Sequence, residues 1–508
     1  MKKALSAALL VIALPVAALA LAGPAAASGT LRIALQEDPD ALDPAQGVSF
    51  VGRVVFAGLC DKLIDIDQTL AYVPQLATEW RWSQDNLALT MTLRPGVVFH
   101  DGTTFDAAAV KANIERYKNA PESKCKTELK QVSAVEIVDP ATVRFVLSEP
   151  YAPLLGILSD RAGMMISPKA IAESGDKLSN NLVCAGPYKF VERVAQDRIV
   201  LERFDGYWNA GAIAIDKVIY VTVPDQSVRL ANLKSGGLEI AERIAPTDLD
   251  AVRSDPRLKL VESPSLAYYN LFINLNGGER ANTPLGKNEK VREALEAAID
   301  RNVINQVVFN GEYIPSNQPV PPGSTYYAKD FPVPPRDLAK AKRLLAEAGV
   351  PHPEFTLFSA NATTDQRVAE VIQSMAAEAG FEIKLQVSEV NTLLAAATKG
   401  DYQAWVVIWS GRPDPDGNIS IWLACDGFLN WGKYCDPKLD GLLSKARKST
   451  AVAERQALYS QAAAIYLTAR PHIFLYHLKW LWGTTAKLDG FTPFPDGIIR
   501  LQGMTLRP

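Results

Sequence analysis

Arg94, His100 and Asp101 lie close together inside LRPGVVFHDG and have the residue types of an active site. Catalysis there would need a nucleophile, or a base held by an orienting partner. Neither is present, and the patterns G-x-S-x-G and H-E-x-x-H occur nowhere in the chain. A strand followed by Pro95-Gly96 and a His-Asp-Gly turn reads instead as a structural hairpin. The four histidines (His100, His352, His472, His477) are scattered and no C-x-x-C occurs, so neither a metal site nor a cofactor is expected. Trp409 and Arg412 have a different setting. They follow AWVVIW, a strand of buried character, at its carboxyl end, where open α/β sheets bind ligands. A Trp there can stack on a solute and an Arg can hold a carboxylate by two parallel hydrogen bonds. The alternative is a tight turn in which Arg412 pairs with Asp414 or Asp416. Glu37 and Asp38 follow the first strand in the same way. The chemistry these residues offer is capture rather than catalysis.

The elements that must position them are legible along the chain. Strands are expected at 30–36, 87–94, 132–146 (two, around Asp139-Pro140), 188–203 (two), 268–276, 354–359, 381–388 and 404–409. Helices are expected at 49–59, from Asp106 as N-cap to about 117, at 289–309 as one long amphipathic helix, and at 337–348, 364–379, 390–399, 437–447 and 451–469. Strands alternating with helices in the second half imply a parallel sheet covered on both faces. The fold class is therefore α/β, and 508 residues imply two or three domains.

Composition and address narrow the function. The N-terminus carries Lys2 and Lys3, an apolar run from Leu5 to Leu21 and small residues at 25–27, the layout of a signal peptide cleaved after Ala27. No Cys follows the run, so a lipoprotein is not expected, and no later stretch is apolar enough to span a bilayer. Removing Lys2 and Lys3 leaves 53 − 2 = 51 basic against 56 acidic residues, with no basic run to attract nucleic acid. In an oxidising compartment four of the five cysteines can pair. Cys425–Cys435 is expected as a local bridge and Cys125–Cys184 as the next pair, with Cys60 a buried free thiol.

From Trp80 the chain reads WRWSQDNLALTMTLRPGVVFHDGTTFDAAAV. This resembles the family 5 solute-binding proteins of ABC importers, whose pattern is W-x-x-S-x-D, a strand, then L-R-x-G-V-x-F-H-D-G-x-x-F-x-A. CAGPYKFVERVAQDRIVLERFDGYW, at 184–208, resembles the family's G-P-Y-x-F stretch and its following strand ending in Y-W. WSGRPDP, at 409–415, is similar to the W-x-x-x-x-D-P segment of the ligand-binding lobe. The three stretches fall in the family's order, and the resemblance covers essentially the whole mature chain.

The resemblance implies a two-lobed periplasmic binding protein of the type II, cluster C-like kind, with a solute trapped between lobes. It places an N-terminal lobe at 28–267 plus 480–508, with an extra subdomain at about 68–184, and a C-terminal lobe at 268–479. The ligand-contacting set it implies is Trp409, Arg412, Asp414, Arg161, Tyr268, Tyr269 and Glu37. Arg161 lies where some relatives place a cleft Arg, and Tyr268 and Tyr269 fall at a lobe crossing. Peptide-binding members carry an Asp soon after the Trp, to hold the ligand's α-amine. Arg412 stands there in this chain, which reverses the charge and favours an anionic group. The implied partners are a peptide or peptide-like solute and the permease subunits of an importer, with the protein a periplasmic monomer. A nickel- or metal-chelate binder of the same family is the nearest rival, for which His477 is the only nearby His. A secreted hydrolase is a more distant one.

Overall fold

The computed structural model describes residues 29–508; the expected signal peptide, 1–27, lies outside the described residues. The organising feature is one mixed sheet. Its principal strands, in chain order, are β1 (Thr30–Leu35), β2 (Tyr188–Val194), β3 (Arg198–Arg203), β4 (Lys217–Thr222), β5 (Ile240–Ala241), β6 (Leu258–Ile273), β7 (Glu354–Ala360), β8 (Glu382–Ser388), β9 (Ala404–Trp409) and β10 (His472–Thr485), with a short eleventh strand, Ile314–Pro315, beside β10. They lie side by side as β8-β7-β9-β6-β10-β5-β1-β4-β3-β2. On one side of the β6–β10 pair, β7 runs parallel to both β8 and β9. On the other side, β1 runs parallel to β4 and β5. These parallel strands bury apolar side chains such as Leu31, Ile33, Leu357 and Trp405 almost completely, as a sheet covered on both faces requires.

The two halves are joined by β6 and β10, which pair antiparallel from Leu258↔Thr485 to Phe272↔His472. Near one end β10 pairs with β5, and towards the other β6 pairs with β9. The ladder is interrupted between Pro264 and Tyr268. Pro264 has no N–H to donate, Leu266 N–H turns to the Pro495 carbonyl and Ala267 N–H to Ser265 Oγ. The sequence pattern places a strand at 268–276. The strand begins ten residues earlier, at Leu258, and ends at Ile273.

A separate four-stranded antiparallel sheet is built from Ala77–Trp82, Ala88–Leu93, Thr142–Leu147 and Val132–Asp139. The helix Ala107–Asn119 packs on it, started by Asp106, whose side chain accepts from Ala109 N–H at 2.9 Å. α1 (Phe50–Leu59) starts in the same way at Ser49. The expected single helix over 289–309 is two helices, Glu289–Ala298 and Arg301–Phe309. Ile299 turns extended, and the Asp300 carboxylate caps a new helix by accepting from Asn302 and Val303 N–H. Among the described residues no helix is long and apolar enough to cross a membrane.

The cysteine pairing needs one correction. Cys425–Cys435 forms as expected, but Cys184 bonds to Cys60, and Cys125 is the buried free thiol. The reason lies in the HDG turn. Cys60 is the C-cap of α1, and Gly186 N–H donates to the Leu59 carbonyl, which lays the 184–186 segment against that helix end. Cys184 N–H meets His100 Nδ1 while its carbonyl accepts from His100 N–H, and His100 Nε2 lies 3.0 Å from the Gly186 carbonyl. Cys125 lies elsewhere, with Sγ 3.8 Å from the Pro44 carbonyl. His100 thus acts as a clamp, and burial pushes its pKa down to about 4.

Candidate functional site

Two cavities lie where the halves of the sheet face each other. The first sits at the carboxyl ends of β1, β5 and β9 and is lined by Glu37, Arg243, Tyr269, Asp365, Trp409 and Ser410, among others. The second lies beyond Ser410 and is lined by Glu128, Asp160, Arg412, Asp414, Asp416 and Arg447, among others. They are of similar size, with about 640 and 710 Å³ of empty space including the solvent at their mouths. Volume does not choose between them; the state of their charged groups does.

In the second cavity nearly every charge has a protein partner. Arg412 Nε lies 2.5 Å from Asp160 Oδ2, and Arg53 Nε lies 2.8 Å from Asp160 Oδ1. Arg53 Nη1 also donates to Ser410 Oγ at 3.1 Å. Asp414 pairs with Arg455 at 2.7 Å and Asp416 with Arg447 at 2.8 Å. Burial would raise the Asp160 pKa, but Arg412 and Arg53 outweigh it and hold the carboxyl far below its usual range. Burial, with Arg53 beside it, pushes Arg412 down to about 9. The guanidinium also lies over the Trp409 ring at 4.4 Å. Gly411, with φ +81°, makes this arrangement possible: a Cβ there would stand 2.6 Å from the Leu266 backbone. Arg412, expected to meet a ligand, pairs instead with Asp160, and not with Asp414 or Asp416 as in the alternative reading.

The first cavity differs. Arg243, just past β5, donates from Nη1 to Gln36 Oε1 at 2.7 Å, while its Nε and Nη2 are shielded from solvent without a protein partner. Glu37 Oε2 is likewise buried and unpartnered. Burial pushes Glu37 up to about 8, against the pull of Arg243, and Asp365 up to about 6, against the Tyr269 hydroxyl and Arg243. Unmet hydrogen-bonding capacity in a buried cavity costs free energy that a ligand can recover. Glu37 and Arg243 offer such capacity here, as Gln131 Oε1 does in the second cavity.

The family model for bacterial extracellular solute-binding proteins, family 5 (middle region), matches residues 71–430. The chain belongs to that family. As a family 5 solute-binding protein it is 32% identical over 511 residues to the glutathione-binding protein GsiB of Pectobacterium atrosepticum, spanning 97% of this chain and 98% of that one. It is 31% identical over 500 residues to GsiB of Escherichia coli K12, covering 96% of each. Among solved structures it superimposes on the ABC transporter-associated periplasmic binding protein DppA of Helicobacter pylori, bound to the peptide STSA, with TM-score 0.86. That match has 26% identity and covers 95% and 98% of the two chains. It also superimposes on the Agrobacterium protein AgaA bound to agropinic acid, with TM-score 0.85, 27% identity and 94% and 99% coverage. The family 5 solute-binding protein therefore has the two-lobed α/β architecture and serves as the solute-capturing component of an ABC importer.

The site residues taken from sequence are distributed between the two cavities. Glu37, Tyr269 and Trp409 line the first; Arg412 and Asp414 line the second. Tyr268 is buried, with its hydroxyl on the Asn418 carbonyl at 2.9 Å. Arg161 is buried and donates from Nη1 to the Gly47 carbonyl. His477 is buried with both ring nitrogens 3.1 Å from carbonyls, those of Ala267 and Gln318. Sequence reasoning missed Arg243, Asp365, Asp160 and Arg53. Arg243 follows a strand of two residues, Ile240–Ala241, too short to show any periodicity.

Proposed function

We propose that this protein captures a peptide or peptide-like small solute in the cavity lined by Glu37, Arg243 and Asp365, and presents it to the permease of an ABC importer in the periplasm. It does so as a monomer and without chemistry on the solute. The observation that carries this reading is the set of shielded, unpartnered polar atoms on Glu37 and Arg243 between the two halves of the sheet. Relatives are described as binding glutathione and the peptide STSA, both amino-acid-derived. For the lobes we take 28–267 with 480–508, including the subdomain at 68–184, against 268–479. Closure then rotates one against the other about β6 and β10. Ligand affinity for the closed state exceeds that for the open one, which is what traps the solute. Both nitrogens of His477 face backbone carbonyls, so this histidine gives the metal-chelate reading no support.

Native mass spectrometry of the purified protein, followed by a thermal-shift screen of peptides, glutathione and other small organic acids, tests this. A ligand at ~100 times its Kd stabilises by roughly 2.7 kcal/mol, readily seen as a shift in Tm. Failure of every peptide and of glutathione would overturn the substrate class.

A further inference from the structure

An arginine presents two different edges to a carboxylate, and the side-on edge, formed by Nε and Nη2, matches the two oxygens best. This chain uses that edge repeatedly. Arg500 grips Asp65 with Nε at 3.0 Å and Nη2 at 2.7 Å. Arg193 holds Asp38 and Arg257 holds Asp255 in the same way. In Arg243 the same two atoms have no protein partner, although both are shielded from solvent. The third nitrogen is fixed by Gln36, and the group lies over the rings of Phe50 and Trp480, at 5.1 and 5.4 Å, so the free edge is held in place.

The rest of the cavity has the opposite polarity. Glu37, on the segment after β1, and Asp365, in the first turn of the helix Thr363–Ala377, line the same space. The charged groups that bear on Glu37 are Arg243, Glu242 and Asp40. Those that bear on Asp365 are Arg243 and Arg229, and the Arg229 side chain is already spent on the carbonyls of Val223, Pro224, Glu242 and Arg243. Two carboxylates and one free guanidinium edge thus face one cavity, and among the described residues Arg243 is the cation that bears on both.

We infer that Arg243 receives a carboxylate of the solute and that Glu37 and Asp365 receive its ammonium group, so that the cavity selects zwitterions of the amino-acid type by their charge polarity. This deepens the proposed function and rests on the reading that this cavity holds the solute. It moves amine recognition away from the position after Trp409. There Arg412 is occupied by Asp160 and has no role in reading the amine. The upward displacement of the Glu37 pKa to about 8 fits a carboxylate that lacks the cation a ligand would bring.

The test uses the full mature chain and equimolar randomised pools of di- and tripeptides, supplemented with glutathione, in three forms: free, N-acetylated and C-amidated. Affinity selection read by mass spectrometry should retain members of the free pool and reduce retention at least tenfold for both blocked pools. Arg243→Gln should abolish the discrimination against C-amides while keeping that against N-acetyl forms. The double variant Glu37→Gln, Asp365→Asn should do the reverse. Equal retention of free and blocked pools by the wild type would overturn the inference while leaving the proposed function standing. Retention of no pool would overturn both. Because the decisive comparison modifies the probe and not the protein, it holds even if a variant fails to fold.

Discussion

Burial resists the ionisation of a carboxylate, and at Glu37 it outweighs the pull of Arg243. The Glu37 pKa of about 8 in the folded protein exceeds that of an unfolded Glu. Between the two values the unfolded chain is ionised while the native state must hold a proton. Native stability therefore falls as pH rises through that window, with the whole penalty present above about pH 8. Each tenfold difference in proton affinity is worth about 1.4 kcal/mol. Glu37→Gln escapes this penalty. We expect its Tm in the ligand-free state to exceed that of the wild type at pH 8, and the difference to vanish below pH 4, as followed by circular dichroism. The same variant should bind solute more weakly. A ligand ammonium favours the ionised form, so wild-type affinity should climb from pH 6 to 8, with protons released on binding. Calorimetry in buffers of different ionisation enthalpy would detect them; a pH-independent affinity with no proton release would contradict this account of Glu37.

At the level of elements, much of the architecture could be read directly. β1, the hairpin β2–β3 and the run from β7 to β9 each announce themselves by alternation or by a continuous apolar stretch ended by turn residues. The long strands β6 and β10 were legible only in part, since their pairing partners are far apart in sequence and Pro264 interrupts the pattern. Glu37, Tyr269 and Trp409 could be found because each sits at or beside a recognisable strand. Arg243 could not, and neither could the pairing of Arg412 with Asp160, which depends on closure of the molecule and leaves no local signal. The cysteines show the same limit. The Cys425–Cys435 bridge spans 10 residues and is local, whereas Cys60–Cys184 spans 124 and is chosen by the His100 turn. Closing a loop of that length stabilises by up to roughly 5 kcal/mol in the chain-entropy model. Cys60→Ser with Cys184→Ser should lower the denaturation midpoint strongly, whereas Cys125→Ala should change it little. Peptide mapping without reductant checks the pairing itself.

For the molecule as a whole, the Arg53–Asp160–Arg412 cluster joins a helix and loop from one side of the cavity to the loop after β9 on the other. All three side chains are nearly buried. Removing one partner of a buried ion pair costs about 3–5 kcal/mol, because the remaining charge is stranded. Asp160→Asn would strand two guanidinium groups, and opening the cleft lets water reach them. We expect a larger radius of gyration for this variant in small-angle scattering and a lower affinity for solute. An unchanged radius would mean that closure is set elsewhere. Being shielded, the cluster should also keep its grip at high salt, unlike an exposed pair.

The Cys60–Cys184 bond has a further meaning at this scale. It joins the two ends of the segment that carries the four-stranded sheet of residues 77–147, so that segment is covalently a ring set into the chain. A protease that cuts anywhere in the ring opens it but releases nothing. The clipped protein should migrate as one species until it is reduced, and then as two. A cut between residues 60 and 184 thus leaves the two fragments of this solute-binding protein covalently joined.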